Sequence, residues 1–175
     1  MSQANESQWR EISPADLSFN PFTWIDKEWM LVTAGNQEKH NTMTASWGGL
    51  GVLWKKYVSF VFVRPQRYSM EFLENEDYYS LCFFDKQYRP ALSYCGSHSG
   101  RDVDKDKETG LTALYDQVAP YYEQARIVFI CRKMHGQFLD PKCFLDNTID
   151  EEIYPTKDYH KMYVGEIVKA LLKKD

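Results

Sequence analysis

Aromatic and β-branched residues crowd together at intervals along the chain, and six such stretches predict strands: residues 28–34, 40–46, 57–64, 78–84, 125–134 and 159–168. Helical signals are shorter and fall between them. One follows Pro65, where Met70 and Leu73 share a face. A second covers 87–94, and a third covers 102–109 with Gly110 as its C-terminal stop. Many strands with helices inserted between them predict a mainly β fold, a closed or partly closed antiparallel barrel with short peripheral helices. Residues 1–8 are polar and read as a flexible tail. No linker, repeat or compositional break divides residues 9–175, which read as a single domain.

Composition narrows the function classes. The net charge of -4 gives no basic face for nucleic acid, so any anion site has to be local. The longest apolar run, 57–63, is far too short to span a bilayer, and the polar N-terminus lacks the apolar core of a signal peptide. A cytoplasmic protein with no membrane or nucleic-acid partner is expected. Cys82, Cys95, Cys131 and Cys143 form no CxxC pair and are expected to be reduced. Cys95 reads as a small buried hydrophobe or as a redox-active thiol.

Three separated segments carry the chemistry: NTMTASWGG at 41–49, RPQRYS at 64–69 and GSHSGRDVDK at 96–105. Each alone is a turn. Together they offer hydroxyls, guanidinium groups and backbone N–H donors, which suit a dianionic phosphate on a ring-bearing cofactor. Ser99–Gly100–Arg101–Asp102 matches a capping box, so Ser99 either caps a helix or marks a helix start that holds a phosphate. No GxSxG, HExxH, Walker A or GxGxxG motif is present. His40, His98, His135 and His160 lack metal-ligand spacing and read as surface or hydrogen-bonded core residues.

The succession of NTMTASWGGLG, FVRPQRYS, CGSHSGRDVDK and a late HKMYVGEIVKAL strand, over residues 29–171, resembles the flavin reductase-like proteins, in particular their flavoredoxin branch. The resemblance implies an FMN-binding split β-barrel working as a homodimer with flavin near the interface. It implies an FMN-binding oxidoreductase, an NADH- or NADPH-dependent reductase of flavin or a small acceptor; the alternative is a flavoredoxin-like electron carrier serving a redox protein partner. A flavin-free barrel, its three loops mere turns, is a third reading.

Under the resemblance, Asn41, Met43, Thr44, Ala45, Ser46 and Trp47 edge the flavin, and Arg64, Arg67, Tyr68 and Ser69 follow from the second segment. Arg67 and Ser69 are the first choice for phosphate, against a solvated arginine and a helix cap. Arg64 faces the site or pairs with a nearby acid. Trp47 and Trp54 border the ring or belong to the core. Ser99, Gly100, Arg101 and Lys105 complete the anion pocket, from the same chain or the second subunit. Arg101 and Lys105, four apart, would share a helical face, which could equally be a salt-bridged solvent face with Asp102, Asp104 and Asp106. Ser69 stands where the family often has threonine, and His98 where a lysine is expected. No catalytic side chain is required, because the cofactor carries the hydride.

Overall fold

The computed structural model describes residues 8–174. The expected N-terminal tail lies outside them except for Gln8, whose carbonyl accepts the Lys174 N–H at 2.9 Å. In chain order the elements are β1 (Trp9–Ile12), β2 (Met30–Gly35), β3 (His40–Ala45), β4 (Gly48–Leu53), β5 (Lys56–Val63), α1 (Ser69–Asn75), β6 (Tyr78–Phe83), α2 (Arg89–Ser97), α3 (Lys105–Thr109), β7 (Ala113–Leu114), β8 (Tyr121–Tyr122), β9 (Ile127–Phe138), α4 (Thr148–Ile153) and β10 (Lys161–Lys173). Seven strands run in the spatial order β3-β2-β6-β9-β10-β5-β4, with β1 added beside β10 and every pairing antiparallel. β7 and β8 form a separate short ribbon.

One face of this sheet packs on itself. Met30, Val32 and Ala34 of β2, Met43 and Ala45 of β3, Val61 and Val63 of β5 and Leu81 of β6 share a single apolar cluster with residues of β9 and β10, and Leu50 of β4 packs against it. Strands from opposite ends of the order can meet in one core only if the sheet curls into a partly closed barrel. The opposite face of β2, β6 and β9 is covered as well. There Leu31, Cys82, Val128 and Ile130 pack with Leu92 and Cys95 of α2 and with Tyr121 and Tyr122 of β8. Burial on both faces explains why these strands read as near-continuous apolar runs and were visible in the sequence.

The structure departs from the expected elements where local composition misleads. The strand expected from residue 28 begins at Met30, because a π-helical turn, Thr23–Glu28, occupies the preceding residues. β4 was missed: GGLGVL carries little strand propensity, and its pairing with β5 forms it. The two-residue turn between them uses Trp54 and Lys55 at φ 51° and 60°, without the Asn-Gly or Asp-Gly signature of such turns. β9 and β10 run to Phe138 and Lys173, past the expected ends at 134 and 168, because they are interior strands paired along their length. Among the described residues no helix is long and apolar enough to cross a membrane.

Gly165 in β10 is required by the packing across the sheet. The buried Tyr79 hydroxyl, 2.8 Å from Ser59 Oγ, lies against it, and a Cβ would fall 2.3 Å from the Tyr79 oxygen. Gly165→Ala is therefore expected to cost about 2 kcal/mol through overpacking. An unchanged midpoint in chemical denaturation would contradict this.

Candidate functional site

The end of β3, the exit of β5, the α2–α3 loop and the approach to β10 meet along one groove. It consists of two adjoining cavities of about 230 and 240 Å³ that share Met43, Arg64 and Arg67. Thr44, Ala45, Ser46 and Trp47 line the first. Asn41, Tyr68, Ser69, Ser99, Gly100 and Lys105 line the second. Three segments distant in sequence thus converge within one chain, and of the residues expected there only Arg101 lies outside. A second subunit is not needed to bring the third loop to the other two.

Several contacts hold the groove in shape. Asn41 Nδ2 donates to Ser69 Oγ at 2.7 Å, tying β3 to the first turn of α1. Gly100 lies so close to β3 that a Cβ there would meet Asn41 Oδ1 at 1.9 Å, so the loop can run this tightly only with glycine. The Thr44 hydroxyl donates to the Leu92 carbonyl of α2, and Arg67 donates to the Gly96 carbonyl at 2.7 Å. Arg64 makes two kinds of contact. It lines the groove, and it also donates to the Asp158 carboxylate and, at 3.0 Å, to the Ile153 carbonyl. Arg64, with Gln66 and Thr156, holds the Asp158 carboxyl well below the usual range.

Lys105 dominates the electrostatics. Its side chain is 7% exposed, and its ammonium donates to the Thr42 and Cys95 carbonyls at 2.7 and 2.8 Å. Burial lowers its pKa, and Arg67 lowers it further. No carboxylate pairs with Lys105 or Arg67 among the described residues. Arg64 is neutralised by Asp158, so the groove keeps two uncompensated cations in a chain of net charge -4. An ammonium has three donors, and the two carbonyls use two of them.

Three expectations need correction. Arg101 and Lys105 do not share a helical face: Arg101 precedes α3, pairs with Glu71 and stacks 4.5 Å over the Tyr68 ring. Ser99 caps no helix. Its Oγ accepts from the Arg101 N–H at 3.2 Å within a turn, while α3 starts after Asp104, whose carboxylate accepts from Lys107 N–H at 3.1 Å. Trp54 sits at the far β4–β5 turn, half-exposed, and neither borders the groove nor joins the core. Of the two readings of Cys95, the small buried hydrophobe fits: it is fully buried with its thiol pushed up to about 11, chiefly by burial, which opposes the thiolate a redox role requires.

The groove also contains Phe62, Gln66, Ser97, His98 and His160, which lie within the quoted segments but were not among the expected site residues. His98 stacks on Tyr94 with centroids 3.9 Å apart. His160 is the most consequential. It lies just before β10, its ring centroid 5.3 Å from that of Trp47, with its Nδ1 2.8 Å from the Tyr154 hydroxyl. Burial and then Arg64 lower its pKa to about 4, so the imidazole is neutral at pH 7. When the tyrosine hydroxyl donates to Nδ1, Nε2 carries the proton as a neutral donor. The early histidine of HKMYVGEIVKAL was the signal available, but nothing near it in sequence indicated the groove.

The fold has solved relatives. A flavoredoxin from Methanosarcina acetivorans matches with TM-score 0.65 and 22% identity, over 84% of this chain and 69% of that one. The FMN-binding domain of a flavin reductases-like enzyme from Shewanella baltica matches with TM-score 0.67 and 14% identity, over 94% and 77%. A putative flavin reductase with a split barrel domain from Shewanella frigidimarina gives TM-score 0.66 and 16% identity, over 85% and 68%. At these identities the likeness establishes the architecture, a split β-barrel. No curated protein matches the chain. The Flavin reductase like domain, as a sequence family, matches residues 25–175. That span takes in every strand but β1 and all of the groove, and the chain belongs to the flavin reductase-like domain family.

Proposed function

We propose that the groove binds FMN and that the protein is an oxidoreductase, an NADH- or NADPH-dependent reductase of flavin or another small acceptor. The observation that carries this reading is the pair of uncompensated cations, Lys105 buried and Arg67 at the surface, in an otherwise acidic chain. A flavin phosphate carries about -1.5 to -2 charges and accepts several hydrogen bonds, which matches two cations beside hydroxyls and a glycine-bearing turn. Lys105, Arg67, Ser69, Ser99 and Gly100 are proposed for the phosphate, with Asn41, Arg64 and Tyr68 bordering it. Met43, Thr44, Ala45, Ser46, Trp47 and His160 are proposed for the ribityl chain and ring. The bound flavin would supply hydride and electron transfer; the protein would supply orientation and neutral donors.

The same reading takes residues 9–175 as one domain of a cytoplasmic homodimer with the flavin near the interface. β4 ends the strand order, and its hairpin exposes Val52, Trp54 and Tyr57, which is the kind of surface a second subunit covers. An electron carrier serving a protein partner is the second reading, supported by the flavoredoxin among the similar structures. Anaerobic mixing of the FMN-loaded protein with NADH and NADPH separates the two. The reductase reading expects the visible flavin band to bleach with at least one nucleotide, and no bleaching with either would overturn it. Arg67→Ala is expected to weaken FMN binding by about 2 kcal/mol, the scale of a hydrogen bond to a charged group. Unchanged affinity in a fluorescence titration would remove Arg67 from the site.

A further inference from the structure

A larger cavity, about 370 Å³, opens at the other end of α2 between the π-helical turn and the loop after β6. Phe84 and Leu92, both almost fully buried, form its apolar floor. The N-terminal turn of α2 walls this cavity through Arg89 and Leu92, whereas at its C-terminal end Ser97 lines the groove and the Gly96 carbonyl accepts from Arg67. The two sites therefore share a helix but no lining residue.

The wall is built at an energetic cost. Thr23–Glu28 is a single π-helical turn, and Trp29, which follows it, has φ 68° and ψ 169°, a conformation that essentially only glycine adopts freely. Such a residue is strained and persists where surrounding contacts enforce it, commonly at ligand clamps. Arg89 supplies that enforcement: its guanidinium stacks 3.0 Å from the Trp29 ring centroid and donates to the Lys27 carbonyl at 2.5 Å. The charges around the mouth are uneven. Glu28 is paired with Arg126, Asp85 lies 4.0 Å from the same guanidinium, and Lys27 pairs with Asp26 at 2.6 Å. Lys86 and Arg89 pair with no carboxylate among the described residues.

We propose that this cavity is a second binding site, for a small molecule with an apolar, ring-sized body and one anionic head, such as an aromatic carboxylate. The floor would bury the ring, and Lys86 and Arg89 would hold the carboxylate. Its volume is near the lower end of small-molecule sites, roughly 300–1,000 Å³, which suits a one- or two-ring ligand. The site stands apart from the flavin reading, since none of its residues line the groove.

Calorimetric titration with naphthalene-1-carboxylate and with its neutral amide tests the proposal. The carboxylate is expected to bind saturably at one site, with the amide at least about tenfold weaker. Thr23→Trp, at an exposed position on the mouth, should abolish binding by filling the cavity, and Lys86→Glu should weaken it about tenfold or more. Both variants should keep the wild-type melting temperature and FMN affinity. Absence of saturable binding to the wild type, equal binding of the amide, or wild-type binding in either variant would overturn the proposal.

Discussion

Replacing Lys105 with methionine is expected to weaken FMN binding by about 3 kcal/mol, roughly a hundredfold or more, with a much smaller change in folding stability. The asymmetry follows from the position of the ammonium. Burial disfavours its charge and lowers its pKa, so folding gains little from it. A bound dianion would recover that cost. Methionine keeps the length of the side chain and removes the charge, while leaving the Thr42 and Cys95 carbonyls without this donor. The same coupling sets a pH dependence. A phosphate raises the pKa of Lys105, so binding takes up a proton once pH exceeds the value in the flavin-free protein. Affinity should be flat near neutrality and fall as pH rises through that lowered value. Fluorescence titrations of both proteins across the alkaline range check this. A variant that binds FMN like the wild type would exclude Lys105 from the phosphate site.

The second large effect concerns acid stability. Burial and Arg64 lower the His160 pKa to about 4 in the folded protein, against 6.5 for an unperturbed histidine, so the folded state binds fewer protons than the unfolded chain between these values. Its contribution is intact above pH 6.5 and is lost as pH falls toward 4, amounting to about 3 kcal/mol at one unit per 1.36 kcal/mol. The cause is local: a side chain 7% exposed beside Arg64 and Arg67, with Asp158 offsetting them only in part. His160→Asn keeps an acceptor for the Tyr154 hydroxyl and cannot become charged. Denaturant unfolding of the two proteins from pH 7 to 4 is expected to show a wild-type loss larger by about that amount. Parallel losses would show that His160 is not held neutral.

What the sequence revealed, and what it concealed, divides by the range of the interaction. The strands buried on two faces were legible as apolar runs, and the three chemical segments were legible as clusters of hydroxyls, arginines and glycines. β4 was hidden because six residues containing three glycines become a strand only beside β5. The helix expected from residue 102 forms only at Lys105, because Asp104 supplies the cap that Ser99 was thought to provide. His160 entered the groove unannounced, since its neighbours there, Trp47 and Arg64, are about a hundred residues away in sequence. Arg101 shows the reverse failure: its spacing from Lys105 suggested a shared face, and the turn that sends it to Glu71 and Tyr68 is set by tertiary packing.

Under the proposed function, the two cations of the groove hold a phosphate carried by a flavin. Parallel titration of the wild-type protein with FMN and riboflavin isolates that role, because the two ligands share the ring and ribityl chain and differ in the phosphate alone. One FMN per chain is expected, with riboflavin weaker by about a hundredfold or more. Equal affinity for both, or no binding of either, would contradict it.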